Sequence, residues 1–136
     1  LSVPGGGSRM PFSQEVLDKR LCYIQMNGKE TYKQAVSAMT QAAVDCLNRC
    51  GLTSEMISCV IPHQANIRIL QAVADRLQIP MDKVFINLDK YGNTSAAACA
   101  IALDEAVTTG RVKRGDYILM VAFGGGLTWA GCVIQW

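Results

Sequence analysis

The sequence predicts a layered α/β domain whose sheet is mostly parallel and has an antiparallel edge. Short apolar runs alternate along the chain with longer segments in which apolar residues recur every three or four positions, as in strands alternating with helices. The last two apolar runs are joined by Gly124-Gly125-Gly126, a turn signal that favours an antiparallel hairpin. Five runs are predicted strands: residues 21–26, 57–61, 84–86, 117–123 and 127–136.

The start of the chain is rich in glycine, proline and serine. We therefore expect residues 1–20 to form a loop or surface arm ahead of a domain that covers residues 21–136. Helical spacing begins after Asn27-Gly28, and Gly51 suits the position just past a helix C-terminus because it adopts a left-handed backbone without strain. The apolar face of this first helix comprises Tyr32, Val36, Met39, Ala43, Leu47 and Cys50.

The only histidine of the chain follows the second predicted strand. That strand, residues 57–61, stops at Pro62 because proline has no N–H to give to a sheet ladder. Helical spacing then covers residues 65–77, so His63 stands between the carboxyl end of a strand and a helix. A lone histidine beside an apolar strand is more often a core residue. However, ligands of open α/β sheets collect at such strand ends, which favours a functional role.

A second candidate lies thirty residues further along. Residues 94–109 are rich in alanine and apolar almost all round as far as Leu103, which is typical of a helix buried inside a domain. Asn93, Thr94 or Ser95 can cap the N-terminus of this helix with a side-chain oxygen. From the residues alone, Asn93 is therefore either a simple helix cap or a polar group of a site.

Composition excludes several classes of protein. Half of the 136 residues are hydrophobic and 18% are charged, as in a globular domain. The net charge of +2, without a basic cluster that includes aromatic residues, argues against nucleic-acid binding, and no apolar stretch has the length of a membrane span. The start of the chain lacks the features of a signal peptide, so we expect a cytoplasmic protein. It also lacks an initiator methionine, so we expect the chain to be part of a longer one.

The six cysteines are scattered and include no Cys-x-x-Cys pair, and one histidine does not complete a typical zinc site. Most lie in apolar helix or strand patterns, where a reduced thiol behaves as a small hydrophobic group. We therefore predict a reducing compartment, no disulfides and no metal.

Three motifs follow one another: residues 62–68 (Pro-His-Gln-Ala-Asn-Ile-Arg), 91–97 (Tyr-Gly-Asn-Thr-Ser-Ala-Ala) and 122–129 (Ala-Phe-Gly-Gly-Gly-Leu-Thr-Trp). In order and spacing they resemble β-ketoacyl-acyl-carrier-protein synthase III, the condensing enzyme that starts type II fatty acid synthesis. Three motifs in register are specific, and the resemblance covers essentially the whole chain. It implies the second of two thiolase-like halves, an α/β/α layered domain with a mixed, mostly parallel five-stranded sheet.

The resemblance implies a decarboxylative Claisen condensation of an acyl-coenzyme A, expected to be acetyl-coenzyme A, with malonyl-acyl carrier protein. The product is a 3-oxoacyl-acyl carrier protein, and coenzyme A enters as a substrate, without any cofactor. His63 and Asn93 then act as N–H donors to the enolate, and the Gly125 N–H belongs to the oxyanion hole. The nucleophilic cysteine lies in the absent first half. Cys99 sits inside a helix and is expected to be a buried, protonated thiol.

The resemblance also implies binding residues and partners. The expected partners are acyl carrier protein, the absent first half and a second copy in a homodimer. A basic face should steer the acidic carrier to the entrance of the substrate tunnel. Substrate or coenzyme A binding is expected at Gly28, Ala65, Asn66 and Arg68. Carrier docking is expected at Lys33, Arg68 and Arg76.

Two alternatives stay open at this point. The chain is either half of a catalytic enzyme or a non-catalytic module that binds coenzyme A or a partner, and a second segment with an Ala-Cys motif would discriminate them. Among enzymes, a polyketide-type or longer-chain ketoacyl synthase would share His63 and Asn93. The acyl pocket of such a relative lies mostly in the absent half, so the sequence leaves the acyl preference open.

Overall fold

The computed structural model describes residues 1–136, which form two compact units, the N-terminal unit Leu1–Gln34 and the C-terminal unit Ala35–Trp136. The α-helices are α1 (Gln14–Asp18), α2 (Gly28–Cys50), α3 (Ile67–Leu77), α4 (Leu88–Tyr91) and α5 (Ala97–Thr108). Single 3₁₀ turns occur at Ser54–Met56 and Met81–Lys83. None of these helices has the length and apolar character needed to cross a membrane.

The N-terminal unit differs from the expected arm and strand. It contains α1, which begins where the Ser13 hydroxyl oxygen accepts the Val16 N–H at 3.3 Å, and Val16 is the buried residue of this helix. The predicted strand at residues 21–26 is wrong. It is reduced to one antiparallel bridge between Ser2 and Gln25, because no neighbouring strand pairs with the rest of the run.

The C-terminal unit contains a sheet of three strands in the order β1 (Ile57–Pro62), β2 (Tyr117–Gly124) and β3 (Thr128–Gln135). β1 and β2 are parallel, and β2 and β3 form the expected antiparallel hairpin. The prediction of five strands is therefore wrong. The run at residues 84–86 makes a single parallel bridge to β1, between Val84 and Val60, and it is flanked by a 3₁₀ turn and by the start of α4.

Alternating side chains of the strands fill two cores, one on each face of the sheet. On one face Val60 of β1 and Leu119 of β2 pack with α2 and α3. On the other face Ile61 of β1 and Ile118 of β2 pack with α5. Helices on both faces of a partly parallel sheet give the expected α/β/α layers.

The alanine-rich helix α5 is less buried than its composition predicts. Its buried residues, Ala98, Ala102 and Ala106, recur every four positions and form one stripe against the sheet. The opposite side, which includes Ala100, is exposed in this chain. The sheet provides an apolar surface for only one side of the helix, so the rest of its apolar surface stays uncovered.

Helix α2 and strand β3 approach each other closely at Gly131. A Cβ atom at this position would lie 3.0 Å from the Cys46 Sγ and 3.1 Å from the Ala42 carbonyl oxygen. Backbone and side-chain atoms of α2 therefore occupy the volume that any larger residue at position 131 would need.

Candidate active site

His63 lies directly after β1, at the carboxyl end of the strand. Its backbone N–H donates to the Val121 carbonyl oxygen of β2 at 2.8 Å, and its own carbonyl oxygen accepts the Ala65 N–H at 2.9 Å. The side chain is half-buried, and this burial lowers the pKa of His63 below its ordinary value. Near neutral pH the imidazole is therefore uncharged and carries one N–H donor.

Asn93 follows α4 and is exposed. Its side-chain Oδ1 accepts the backbone N–H of Ser95 at 3.0 Å, which forms a tight turn in which Ser95 has a φ of 56°. The interpretation of Asn93, Thr94 or Ser95 as a cap of α5 is wrong, since the N-cap is Ala96 and has no side-chain hydrogen bond. The turn uses only the side-chain oxygen of Asn93. The side-chain N–H groups of Asn93 are therefore available for hydrogen bonds to other molecules.

Gly125 lies in the exposed turn between β2 and β3, where Gly124 pairs with Thr128. Its carbonyl oxygen accepts the Thr128 hydroxyl at 3.3 Å. The residue of this turn with a positive φ is Gly126, at 147°, where a Cβ would also lie 2.9 Å from the Thr128 Cγ2. Glycine is therefore required at position 126 by conformation, whereas Gly125 is not in the left-handed region.

The topology brings these three candidates to one edge of the sheet. β1 and β2 are parallel, so the segments that follow them, with His63 and Gly125, leave at the same edge. Val84 pairs in parallel with Val60, and the chain after it, through α4 to Asn93, also leaves in that direction. An imidazole, a side-chain amide and a glycine-rich backbone turn thus share the carboxyl edge.

The expected binding residues are divided between the two units. Asn66 caps α3 through its Oδ1, which accepts the Arg68 N–H at 2.9 Å, and Ala65 is half-buried beside it. Arg68 and Arg76 are exposed and two helical turns apart on α3. Gly28 and Lys33 are exposed residues of the N-terminal unit, and a Cβ at Gly28 would meet no atom within 4 Å.

Sequence reasoning missed the buried polar residues behind this edge. Gln64 and Asn87 are 1% and 2% exposed, and a hydrogen bond joins the Asn87 backbone N–H to the Gln64 Oε1 at 3.2 Å. Asn87 in turn donates through Nδ2 to the Glu105 Oε2 at 2.9 Å. For Asn87 the available signal was a polar residue directly after the apolar run 84–86, because such a residue needs a partner when it is buried. Gln64 follows His63 and carries no such signal.

Thiol groups are further candidates for a nucleophile or a metal ligand in this chain. All six are free, and no three His, Cys, Asp or Glu side chains are grouped as metal ligands. Burial raises the pKa of Cys99 above its ordinary value, and the nearby Cys132 adds to this effect. A raised pKa keeps the thiol protonated, which is the opposite of what a nucleophile needs.

The comparisons with known proteins agree with this arrangement of elements. Residues 47–136 match the family model described as 3-oxoacyl-[acyl-carrier-protein] synthase III C terminal. The chain belongs to this family. Over all 136 residues it is 59% identical to a β-ketoacyl-[acyl-carrier-protein] synthase III of Caldanaerobacter subterraneus and 51% identical to that of Roseiflexus castenholzii. In each case it covers 41% of the relative, so the chain spans about two fifths of the length of these curated proteins.

Solved structures of the family confirm the thiolase-like fold. The 3-oxoacyl-[acyl-carrier-protein] synthase III of Aquifex aeolicus is 52% identical, with a TM-score of 0.83 over 85% of this chain and 37% of that chain. A priming β-ketosynthase of the R1128 polyketide pathway is 38% identical, with a TM-score of 0.77 over 89% of this chain and 37% of that chain. The residues of this chain thus correspond to the C-terminal part of the synthase fold.

Proposed function

We propose that this chain is the C-terminal half of an acyltransferase that condenses an acyl-coenzyme A with malonyl-acyl carrier protein. The reaction releases coenzyme A and carbon dioxide, gives a 3-oxoacyl-acyl carrier protein and starts fatty acid synthesis, with acetyl-coenzyme A as the proposed primer. Support comes from relatives named β-ketoacyl-[acyl-carrier-protein] synthase III, which are up to 59% identical over the whole chain. The single observation that carries the proposal is the parallel pairing by which the segments leading to His63, Asn93 and Gly125 leave the sheet in the same direction.

In this proposal His63 and Asn93 stabilise the enolate that forms when the malonyl group loses carbon dioxide. Negative charge then develops on the thioester oxygen, and N–H groups directed at that oxygen lower the barrier. The lowered pKa of His63 favours the neutral imidazole, which still carries one N–H donor for the enolate oxygen. Asn93 can donate through its side-chain amide because only its oxygen is used by the turn.

Gly125 is proposed to serve the other charged intermediate. During transfer of the acyl group to a cysteine, the sulfur attacks the acyl carbonyl and negative charge develops on the acyl oxygen. A backbone N–H of the β2–β3 turn can donate to this oxygen. The required nucleophilic cysteine is proposed to come from the half that the relatives have in addition to the region matched here. The raised pKa of Cys99 supports this division, because a protonated thiol is a poor nucleophile.

Substrate and partner contacts are proposed on the same half. Ala65 and Asn66 lie beside His63 at the start of α3 and would contact the pantetheine arm, together with Gly28 and Arg68. Exposed basic side chains, Lys33, Arg68 and Arg76, would attract the acidic carrier protein. We also propose a homodimer in the cytoplasm, with no resident cofactor and no metal.

The test uses a chimera in which this chain replaces the matching 41% of the Caldanaerobacter relative. The folded chimera is expected to form 3-oxoacyl-acyl carrier protein from acetyl-coenzyme A and malonyl-acyl carrier protein, and a Cys99→Ser chimera should do the same. The 136-residue chain alone is expected to form none. A chimera that unfolds cooperatively like the parent enzyme but is inactive would contradict the proposal and favour a non-catalytic module. Condensation by the chain alone would contradict the division into two halves.

A polyketide-type priming ketosynthase is the second candidate, favoured by the 38% identity and the TM-score of 0.77 to the R1128 enzyme. The two candidates differ in the acyl group that they accept. The test is competition between acetyl-coenzyme A and longer acyl-coenzyme A primers in the natural polypeptide that contains this chain. Preference for a longer primer would favour the second candidate.

A further inference from the structure

Gln64 is a buried amide that uses all of its hydrogen-bonding groups. Its side chain is 1% exposed, and its Nε2 donates to the Pro62 carbonyl oxygen at 2.9 Å and to the Phe85 carbonyl oxygen at 3.0 Å. Its Oε1 accepts the backbone N–H of Asn87 at 3.2 Å. The side chain thus joins the loop that carries His63 to the segment that leads to Asn93.

The need for an amide at this position follows from Pro62. The Phe85 N–H donates to the Val60 carbonyl oxygen at 2.8 Å, and in a parallel ladder the next bond would run from the N–H of residue 62 to the Phe85 oxygen. Proline has no N–H, so this bond cannot form. The Gln64 Nε2 donates to the Phe85 oxygen instead, and it continues the pairing of the two segments beyond the end of the strand.

The connection continues from Asn87 to helix α5. The Asn87 Nδ2 donates to the Glu105 Oε2 at 2.9 Å, and Lys90 of α4 forms an ion pair with the other oxygen of the same carboxylate. These two contacts hold the pKa of Glu105 below its usual range, the ion pair with Lys90 having the larger effect. The segment of residues 88–96, which contains Asn93, is therefore fixed to α5 near its start. It is joined to the His63 loop through Gln64.

We propose that Gln64 is a positioning residue that fixes the His63 and Asn93 loops relative to each other, with Asn87 and Glu105 extending its hold to α5. The inference rests on the proposed function, in which both side chains donate to one enolate oxygen. Gln64 is buried and its side-chain hydrogen bonds are all to backbone atoms, so it acts through the geometry of the two loops. Two donors that serve one oxygen must keep a fixed separation, since a misplacement of about 1 Å can cost about 100-fold in rate.

The principal test is Gln64→Leu in the chimera with the Caldanaerobacter relative. Leucine keeps most of the volume but removes the three hydrogen bonds. We expect malonyl decarboxylation to fall by about 10- to 100-fold in kcat, and acetyl transfer to the cysteine to change by less than about 3-fold. The matched control is Gln41→Leu, which removes an exposed glutamine of α2 that donates only to Asp45 at 2.9 Å. This control should leave both half-reactions unchanged.

A further readout separates positioning from general loss of structure. In a chimera that already carries His63→Ala and Asn93→Ala, adding Gln64→Leu should cause no further loss of decarboxylation, because there are no donors left to position. If Gln64→Leu does not fold, the pair Asn87 and Glu105 provides a second test. Asn87→Asp places two carboxylates together and should slow decarboxylation. Adding Glu105→Gln restores a donor and an acceptor and should recover most of the rate.

The outcomes distinguish a failure of the proposed function from a failure of the positioning role of Gln64. If the unmodified chimera releases no carbon dioxide, the proposed function is wrong and the positioning role is wrong with it. If the chimera is active and Gln64→Leu behaves like Gln41→Leu, or slows both half-reactions equally, only the positioning role is wrong. Further loss in the variant that lacks both donors, or absence of rescue by Glu105→Gln, would also overturn it.

Discussion

Two loops at the carboxyl edge of the sheet are held in different ways. The loop after β1, with His63, is followed by a buried glutamine whose amide makes three hydrogen bonds to neighbouring segments. The turn after β2, with Gly125, is exposed and is held by strand pairing on both sides and by the Thr128 hydroxyl. One loop depends on a polar side chain in the interior, and the other on strand pairing and one exposed hydroxyl.

This difference follows from the kind of donor that each loop carries. A side-chain donor such as the His63 imidazole has rotatable bonds, and the backbone beneath it must be fixed from outside before its N–H is fixed. A backbone donor such as the Gly125 N–H is placed as soon as the hairpin forms its register. We therefore expect damage to the two loops to affect different half-reactions of the proposed enzyme.

The largest expected effect comes from removing the side-chain donors. In the chimera, His63→Ala or Asn93→Ala should slow malonyl decarboxylation by about 100- to 1,000-fold, and acetyl transfer from coenzyme A should suffer less. The double variant should lose less than the product of the two single effects, because both groups serve one charge. The measurements are release of labelled carbon dioxide and trapping of labelled acetyl-enzyme. Loss of acetyl-enzyme with normal decarboxylation would show that His63 acts as a base for the cysteine.

The next effect concerns the β2–β3 turn. Gly126→Ala places a Cβ at a φ of 147° and 2.9 Å from the Thr128 Cγ2, so the turn must move. Strain of this kind costs about 1–3 kcal/mol, and we expect acetyl transfer to fall by about 10-fold or more while decarboxylation changes less. Gly124→Ala is the matched control, since a Cβ there meets no atom within 4 Å. Equal loss in both half-reactions would remove the distinction between the two loops.

A smaller effect is expected at the proposed carrier surface. Arg68→Glu should raise the KM for malonyl-acyl carrier protein by about 3- to 10-fold at low salt and weaken its salt dependence, since exposed charges are screened by salt. Arg111→Glu provides the control, because Arg111 is exposed in the turn between α5 and β2. An unchanged KM for the carrier at low ionic strength would show that Arg68 does not take part in docking.

The smallest effect is a dependence of stability on pH through His63. Burial lowers the pKa of His63 in the folded chain. At pH values between this lowered pKa and the ordinary pKa, the unfolded chain binds a proton that the folded chain does not. This contribution to stability is fully present at pH values above the ordinary pKa. It is lost as the pH falls from the ordinary pKa to the lowered pKa of the folded chain. Urea unfolding of the chimera and of its His63→Gln variant at about pH 7.5 and pH 5.5 tests this. The unmodified protein should lose more stability than the variant.

Sequence patterns predicted the elements that have strong local signals. The strand that ends at Pro62, the amphipathic helix α3 and the hairpin of β2 and β3 all follow from apolar spacing and from glycine or proline at the ends. The predicted strands at residues 21–26 and 84–86 were wrong because strand formation also needs a partner along its whole length. At residues 84–86, Pro62 ends the ladder after one bridge, which apolar content does not reveal.

The sequence predicted His63, Asn93 and Gly125 as site residues, but it did not predict the buried polar residues behind them. His63 stood out because it is a single histidine at a strand end, and the glycine triplet because it joins two apolar runs. The roles of Gln64, Asn87 and Glu105 depend on contacts between residues 18 to 23 positions apart, and no local pattern encodes such contacts. The glycine triplet predicted the turn, but not that Gly126 is the glycine with a positive φ.

The close approach of β3 to α2 at Gly131 gives the chain an internal reporter. The Cys46 Sγ lies against the Gly131 backbone, where a Cβ would be only 3.0 Å away, whereas Cys50, one helical turn further along α2, is exposed. Cys46 is partly buried, and burial raises the pKa of its thiol. We therefore expect Cys46 to react more slowly with a thiol reagent than Cys50, so that the ratio of the two rates reports on the packing of β3 against α2.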